Sequence, residues 1–182
     1  MTAAPHVVVI AFPFASHAVK LFRLARTLAA AAPAATFSFL STASSLAQLQ
    51  AQEQNGLEGN LRFVLVADGL SGGAEEVTPP HPITRLNLFL AAAEAGSVRE
   101  ALETARASAG GARVTCVVWD AFAWMAAAAT AAPWVPDLPV WTGGPSALLA
   151  HLRGEALRDD IGDRGTHDTI DHEYMHGGCF AG

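Results

Sequence analysis

The segment HVVVIAFPFASHA, residues 6–18, is an apolar run that ends at a proline and then places a histidine at the start of the next element. A short continuous apolar run is typical of a buried parallel strand, and Leu21, Leu24 and Leu28 follow it at helical spacing. The pattern predicts a strand that leads into an amphipathic helix. His17 would then lie at the carboxyl end of the strand, the edge at which open α/β sheets bind ligands, where it could act as a base.

Alternation of strand and helix continues along the chain. Strands are predicted at residues 6–12, 36–40, 61–66, 114–119 and 140–142, and helices at residues 17–32, 84–107, 120–132 and 146–158. A further helix runs through residue 54, with candidate N-caps at residues 41–45. Residues 67–82, rich in glycine and proline, form a loop longer than a plain connection needs. Strands and helices of this length predict right-handed βαβ units, and therefore a Rossmann-like parallel sheet flanked by helices.

Composition indicates a packed globular domain, because 51% of the 182 residues are hydrophobic and only 15% are charged. A net charge of -6, with Lys20 as the only lysine, argues against a nucleic-acid partner. Cys116 and Cys179 do not form a disulfide framework. The first apolar run is too short to span a membrane and lacks the basic start of a signal peptide. We therefore expect a cytoplasmic protein without a membrane span.

Asp120 stands directly after the fourth apolar run, at a second strand end. Polar side chains at the carboxyl ends of two strands of one parallel sheet can meet at its edge. A carboxylate bonded to one ring nitrogen of His17 would fix its tautomer and stabilise the imidazolium that forms when it takes a proton. The simpler alternatives are that His17 only caps or packs in a loop and that Asp120 only caps the next helix. The residues alone leave these alternatives open.

The chain resembles the N-terminal half of plant UDP-sugar-dependent glycosyltransferases, most closely the flavonoid and anthocyanidin 3-O-glucosyltransferases. The matching segments are HVVVIAFPF with SHA (6–18), FSFLST (37–42), GNLRFV (59–64), CVV with DAF (116–122) and PWVP with VWT (133–142). They occur in the family's order and cover the chain to about residue 163. The resemblance implies that residues 1–163 are the N-terminal, acceptor-binding domain of a GT-B glycosyltransferase and that residues 164–182 are a divergent polar tail.

The resemblance also implies the roles of individual residues. His17 would be the catalytic base and Asp120 its partner. Substrate contacts fall on four further residues, Ser16, Phe122, Thr142 and His151. Phe122 would face the flat acceptor, His151 would line the acceptor pocket, and Thr142 would approach the donor sugar. The implied reaction is removal of a proton from a flavonoid 3-hydroxyl, with attack on the anomeric carbon of a UDP-sugar and inversion of configuration. The UDP-sugar is a co-substrate, and neither a cofactor nor a metal is expected.

Several positions depart from the family pattern. Ala15 replaces a serine, Trp119 replaces a small residue before the aspartate and could crowd it, and Ile83 stands where relatives often have a polar acceptor contact. The segment at residues 135–140 is longer than the usual run. The motifs of the family's donor-binding domain are not in this sequence, so we expect a truncated transferase that is inactive alone and meets a UDP-sugar only if a donor domain is supplied. The alternative is a non-catalytic module that binds small molecules or regulates an intact relative.

One motif in the tail indicates a different chemistry. Residues 172–176, HEYMH, match the zinc-protease pattern of two histidines one helical turn apart with a glutamate between them. Only six residues follow His176, and Gly177 and Gly178 would end a helix at once. We therefore expect a solvated tail, with incidental binding of a divalent metal as the lesser alternative.

Overall fold

The structure is a computed structural model that describes residues 4–14, 16–52, 56–57, 59–70, 81–124 and 135–161. Within these residues there are five strands, β1 (His6–Ile10), β2 (Thr36–Ser41), β3 (Leu61–Leu65), β4 (Cys116–Asp120) and β5 (Asp137–Val140). The six described helices are α1 (His17–Ala31), α2 (Ala43–Gln52), α3 (Pro82–Glu94), α4 (Ser97–Ser108), α5 (Pro145–Leu152) and α6 (Gly154–Ile161).

The five strands form one parallel sheet in the order β3-β2-β1-β4-β5. The chain builds outward from β1 through β2 to β3 and then returns to the other side of β1 with β4 and β5. The direction of winding therefore reverses between β1 and β4, which is where doubly wound sheets open a crevice at the carboxyl ends of their strands. This topology confirms the predicted Rossmann-like α/β fold.

Hydrophobic side chains pack on both faces of the sheet. Along β1, Val8 and Ile10 contribute to one buried cluster, which includes residues of α3 and α4. Val9 contributes to the opposite cluster, which includes Leu21 and other residues of α1 and α2. Because successive side chains of a strand point to opposite faces, a continuous apolar run can serve both layers at once. The sheet and the helices on its two faces thus form a three-layer core, and this core fixes the positions of His17 and Asp120 at the edge of the sheet.

Three predicted elements differ in the structure. The single helix expected at residues 84–107 is two helices, α3 and α4, because Gly96 between them has a φ of 110°, which a helix cannot contain. The strand expected at residues 140–142 runs over Asp137–Val140 instead. The helix expected at residues 146–158 is divided into α5 and α6 at Arg153.

The helix predicted to open at Asp120 also differs. Asp120 is the last residue of β4, and residues 121–124 form turns and irregular backbone. Most of the predicted helix, together with the polar tail and its HEYMH motif, lies outside the described residues. Among the described residues, no helix combines the length and apolar composition that a membrane span requires.

The chain divides into two compact units, Met1–Thr142 and Gly143–Gly182. All five strands and helices α1 to α4 belong to the first unit. The described part of the second unit consists of α5 and α6, which contact each other. The proposed domain boundary at residue 163 stays a prediction.

Candidate active site

Three polar side chains converge at the carboxyl edge of the sheet. His17 is the first residue of α1, Asp120 is the last residue of β4, and Thr142 lies two residues beyond the end of β5. β1 and β4 are neighbours, so the segments that follow them leave the sheet side by side. The three residues therefore meet at the point where the winding of the sheet reverses.

The three side chains form a closed hydrogen-bonded network. Nδ1 of His17 lies 3.1 Å from Oδ2 of Asp120 and 2.7 Å from Oγ1 of Thr142. The Thr142 hydroxyl also lies 3.2 and 3.1 Å from Oδ1 and Oδ2 of Asp120, to which it can donate. Asp120 is completely buried and Thr142 nearly so, whereas the His17 side chain keeps 19% of its surface exposed. The predicted pairing of His17 with Asp120 is confirmed.

The hydrogen-bond partners of His17 determine which of its ring nitrogens carries the proton. A carboxylate only accepts hydrogen bonds, so the bond between Asp120 and Nδ1 of His17 requires a proton on Nδ1. If Thr142 donates its one hydroxyl hydrogen to Asp120, its oxygen can accept from the same Nδ1–H. The neutral ring then has its lone pair on Nε2. The network therefore favours the tautomer in which Nε2 is the atom able to take a proton.

Asp120 has a local role as well as a distant one. Its Oδ1 accepts a hydrogen bond of 3.0 Å from the backbone N–H of Phe122, two residues on, as in an Asx turn. Its Oδ2 bonds with His17, which is 103 residues away in the chain. One carboxylate oxygen thus stabilises the turn after β4 while the other orients the imidazole, and residues 121–124 do not form the predicted helix that Asp120 would cap.

Aromatic rings surround the imidazole of His17. Phe122 and Phe12 meet it edge-on, with ring centroids 4.8 and 5.3 Å away. Phe122 also contacts Trp141 at 4.9 Å and is 37% exposed. Such rings shield the base from water on one side and present a flat apolar surface to an aromatic ligand. The sequence reasoning identified Phe122 but missed Phe12 and Trp141, although both stand within the segments that carry the resemblance.

The remaining predicted site residues lie in different places. Ser16 is the exposed residue before α1, and its side chain makes no capping bond to that helix. Ile83, which is not a predicted site residue but departs from the family pattern, is in the first turn of α3 and is 58% exposed. His151 lies on α5, in the second unit, so its contact with an acceptor stays a prediction.

Trp119 does not crowd Asp120. Its Nε1 donates a 3.0 Å hydrogen bond to Oδ2 of Asp137 on the neighbouring strand. Consecutive residues of a strand point to opposite faces, so the bulk of Trp119 lies on the face away from the Asp120 side chain. The departure from the family pattern is therefore accommodated without disturbing the network.

Two titratable groups of the described residues, both outside the network, have shifted pKa values. Burial lowers the pKa of His6, which a hydrogen bond to the Ala112 carbonyl partly offsets, and the nearby charge of Arg62 lowers it further. Burial raises the pKa of the Cys116 thiol, as does the carboxylate of Asp137. Within the described residues, no group of three or more His, Cys, Asp or Glu side chains is arranged to hold a metal ion.

Comparison with known proteins finds anthocyanidin 3-O-glucosyltransferases of cereals among the relatives of this chain. The chain is 54% identical over 180 residues to an anthocyanidin 3-O-glucosyltransferase of Zea mays, covering 96% of this chain and 38% of the relative. It is 55% identical over 177 residues to the corresponding enzyme of Hordeum vulgare, covering 96% of this chain and 37% of the relative. No protein-family model matches the sequence.

The fold agrees with the sequence comparison. The structure superimposes on a crystal structure of UDP-glucose: anthocyanidin 3-O-glucosyltransferase in complex with UDP, with a TM-score of 0.76 and 30% identity. The match covers 90% of this chain and 35% of the crystallised one. The chain thus spans little more than a third of the length of the relatives it matches. In sequence and in fold it belongs to the UDP-glycosyltransferases of the GT-B class, and it corresponds to their N-terminal domain.

Proposed function

We propose that this chain supplies the acceptor site and the catalytic base for UDP-sugar-dependent glucosyl transfer to the 3-hydroxyl of an anthocyanidin or related flavonoid. The observation that carries the proposal is the buried network of His17, Asp120 and Thr142 at the switch point of the sheet. The substrate class is that of the matched relatives, which are anthocyanidin 3-O-glucosyltransferases. The exposed aromatic surface beside His17 suits a flat phenolic acceptor of this class.

In this mechanism the acceptor hydroxyl lies against Nε2 of His17. The ring accepts the hydroxyl proton as the oxygen attacks the anomeric carbon of the UDP-sugar, and the bond to the diphosphate breaks with its electron pair leaving on UDP. Attack from the side opposite the leaving group inverts the anomeric configuration. General-base assistance of this kind contributes roughly 10²- to 10⁴-fold to a rate.

Asp120 and Thr142 act on His17 in this scheme, and the expected approach of Thr142 to the donor sugar stays a prediction. When the ring gains its proton, the buried carboxylate of Asp120 faces the new positive charge at 3.1 Å. Because Asp120 has no exposed surface, water screens this interaction little. Thr142 holds the carboxylate and the ring at the same time, which restricts both to the productive geometry.

A second candidate function is a non-catalytic module that binds a flavonoid-like molecule. The exposed aromatic surface beside His17 favours keeping it, because Phe122 and Trp141 can hold a flat ligand whether or not a reaction follows. Such a module would use the same aromatic surface and would not need His17 to act as a base. The two candidates differ in whether His17 ever accepts a proton from the bound molecule.

The test joins this chain to the remaining portion of the maize relative and measures UDP-glucose-dependent glucosylation of an anthocyanidin. We expect the chimera to form the 3-O-glucoside and the 182-residue chain alone to bind the acceptor without transfer. The intact maize enzyme is the positive control. A chimera that binds the acceptor but forms no product, beside an active control, would reject the enzymatic function in favour of the binding module.

A further inference from the structure

Lys20 contacts Thr142, the residue that His17 also contacts. It is the only lysine of the chain and lies three residues after His17 on α1, so both project from one face of the first helical turn. Its Nζ donates a 2.8 Å hydrogen bond to the backbone carbonyl of Thr142, 122 residues away. A bond from an ammonium to a carbonyl is stronger than one between neutral groups.

Residues at the start of α1 therefore bind Thr142 through both its side chain and its backbone. Its hydroxyl contacts His17 and its carbonyl accepts from Lys20. Regular pairing of β4 with β5 ends at Val140, whose carbonyl accepts the N–H of Ala121. Thr142 lies two residues beyond that last ladder position, so sheet pairing does not determine where its hydroxyl lies.

We propose that Lys20 is a positioning residue, which fixes the backbone of Thr142 so that its hydroxyl stays within reach of both His17 and Asp120. The inference rests on the proposed function for its catalytic consequence, but its structural part does not. The Thr142 hydroxyl is 2.7 Å from Nδ1, and a displacement of about 1 Å would take it beyond hydrogen-bond range. Without Lys20, the network loses the contact that ties this carbonyl to α1.

The first test observes the tautomer of His17 in the 182-residue chain by ¹⁵N NMR of the imidazole nitrogens, with spectra collected over a range of pH so that the neutral ring is observed directly. We expect Nδ1 of His17 to carry the proton in the unmodified chain. In Lys20→Met, which keeps the aliphatic stem and removes the donor, the ratio of the Nδ1–H to the Nε2–H form should fall by roughly 3- to 10-fold. Lys20→Arg, which can still donate, should restore most of the ratio.

Arg23→Met is the matched control, because it removes a cation from an exposed position one turn further along the same helix. It should leave the His17 signals unchanged, and the signals of buried His6 report in each variant that the fold is intact. A His17 tautomer that is the same in Lys20→Met as in the unmodified chain, or that shifts equally in Arg23→Met, would overturn the proposal.

The second test measures transfer kinetics in the chimera. Lys20→Met should lower kcat by roughly 3- to 10-fold while the KM for the acceptor changes by less than about twofold, because the change affects the base and not the aromatic surface. A rise in KM with unchanged kcat would contradict a positioning role. If the unsubstituted chimera forms no product, the proposed function fails, whereas the tautomer measurement still decides the role of Lys20.

Discussion

His6 is the first residue of β1 and His17 is the first residue of the helix that follows it, and the two illustrate how neighbours determine what an imidazole does. His6 opens the strand, is completely buried, and bonds through Nε2 to the Ser38 hydroxyl at 2.9 Å. Its Nδ1 lies 3.4 Å from the carbonyl of Ala112. His17 follows the strand, keeps part of its surface exposed, and bonds to the carboxylate of Asp120.

The two histidines differ in the charge of their hydrogen-bond partners and in their exposure to solvent. The hydrogen-bond partners of His6 are a neutral hydroxyl and a carbonyl, and burial lowers its pKa, so the fold favours its neutral form. His17 has a buried anion on one nitrogen and an aromatic, partly open surface around the ring. An imidazole that must gain a proton during a reaction needs the second environment, whereas the first suits a histidine that links two strands.

The largest effect is expected from His17→Ala in the chimera. Removing the base should lower the rate of transfer by roughly 10²- to 10⁴-fold, while the acceptor still binds to the aromatic surface. Product formation under saturating substrates is the measurement. His6→Ala is the internal comparison, and its rate per folded molecule should stay close to the original. Similar losses of rate in both variants would erase the distinction between the two histidines.

Asp120→Asn should have the next largest effect, a loss of roughly 10²-fold or more in kcat. The amide can offer an N–H to Nδ1, which would leave the proton on Nε2, where it blocks the base. Rates should be measured together with the imidazole ¹⁵N spectrum, in which His17 should change tautomer. Retention of the original tautomer and rate would show that Asp120 only stabilises the turn at Phe122.

His6→Ala should lower the free energy of unfolding of the chain by about 2–4 kcal/mol. The substitution leaves the buried hydroxyl of Ser38 without its partner and creates a cavity between β1 and β2. Urea unfolding provides the measurement, and Ser38→Ala with the double variant completes a cycle that isolates the bond. A loss below about 0.5 kcal/mol, the size of a surface substitution, would place His6 outside the core.

Stability should also depend on pH through His6. Its folded pKa lies below the ordinary value of 6.5, so between these two values the unfolded chain binds more protons than the folded one. The contribution of His6 is therefore complete above pH 6.5 and is lost as the pH falls below it, with a slope of at most about 1.4 kcal/mol per pH unit. His6→Gln should remove this part of the slope. An identical pH profile in the variant would contradict the assignment.

Trp119→Phe should have the smallest effect. The phenyl ring keeps most of the packing but cannot donate to Asp137, so we expect a loss of about 0.5–1.5 kcal/mol in unfolding free energy. Transfer by the chimera should be nearly unchanged, because Trp119 lies away from Asp120. A large drop in rate at unchanged stability would show that this residue does affect the carboxylate.

Local pattern was enough to predict much of this molecule. The apolar run at residues 6–10, the helical spacing after His17 and the apolar run directly before Asp120 each depend on neighbours a few positions away, which is the range over which backbone geometry and side-chain periodicity act. Parallel βαβ topology followed from the alternation of elements, and it placed both strand ends at one edge.

The long-range hydrogen bonds at and near the carboxyl edge of the sheet form only in the folded protein. Thr142 joins His17 across 125 residues, and Lys20 reaches the same threonine across 122. Trp119 turns to Asp137 because β5 lies beside β4, and His6 finds Ser38 because β2 lies on the other side of β1. Residue type and spacing do not identify these partners. A hydrogen bond between distant residues depends on which strands pair and in which register, and the pairing and register are determined only when the whole sheet forms.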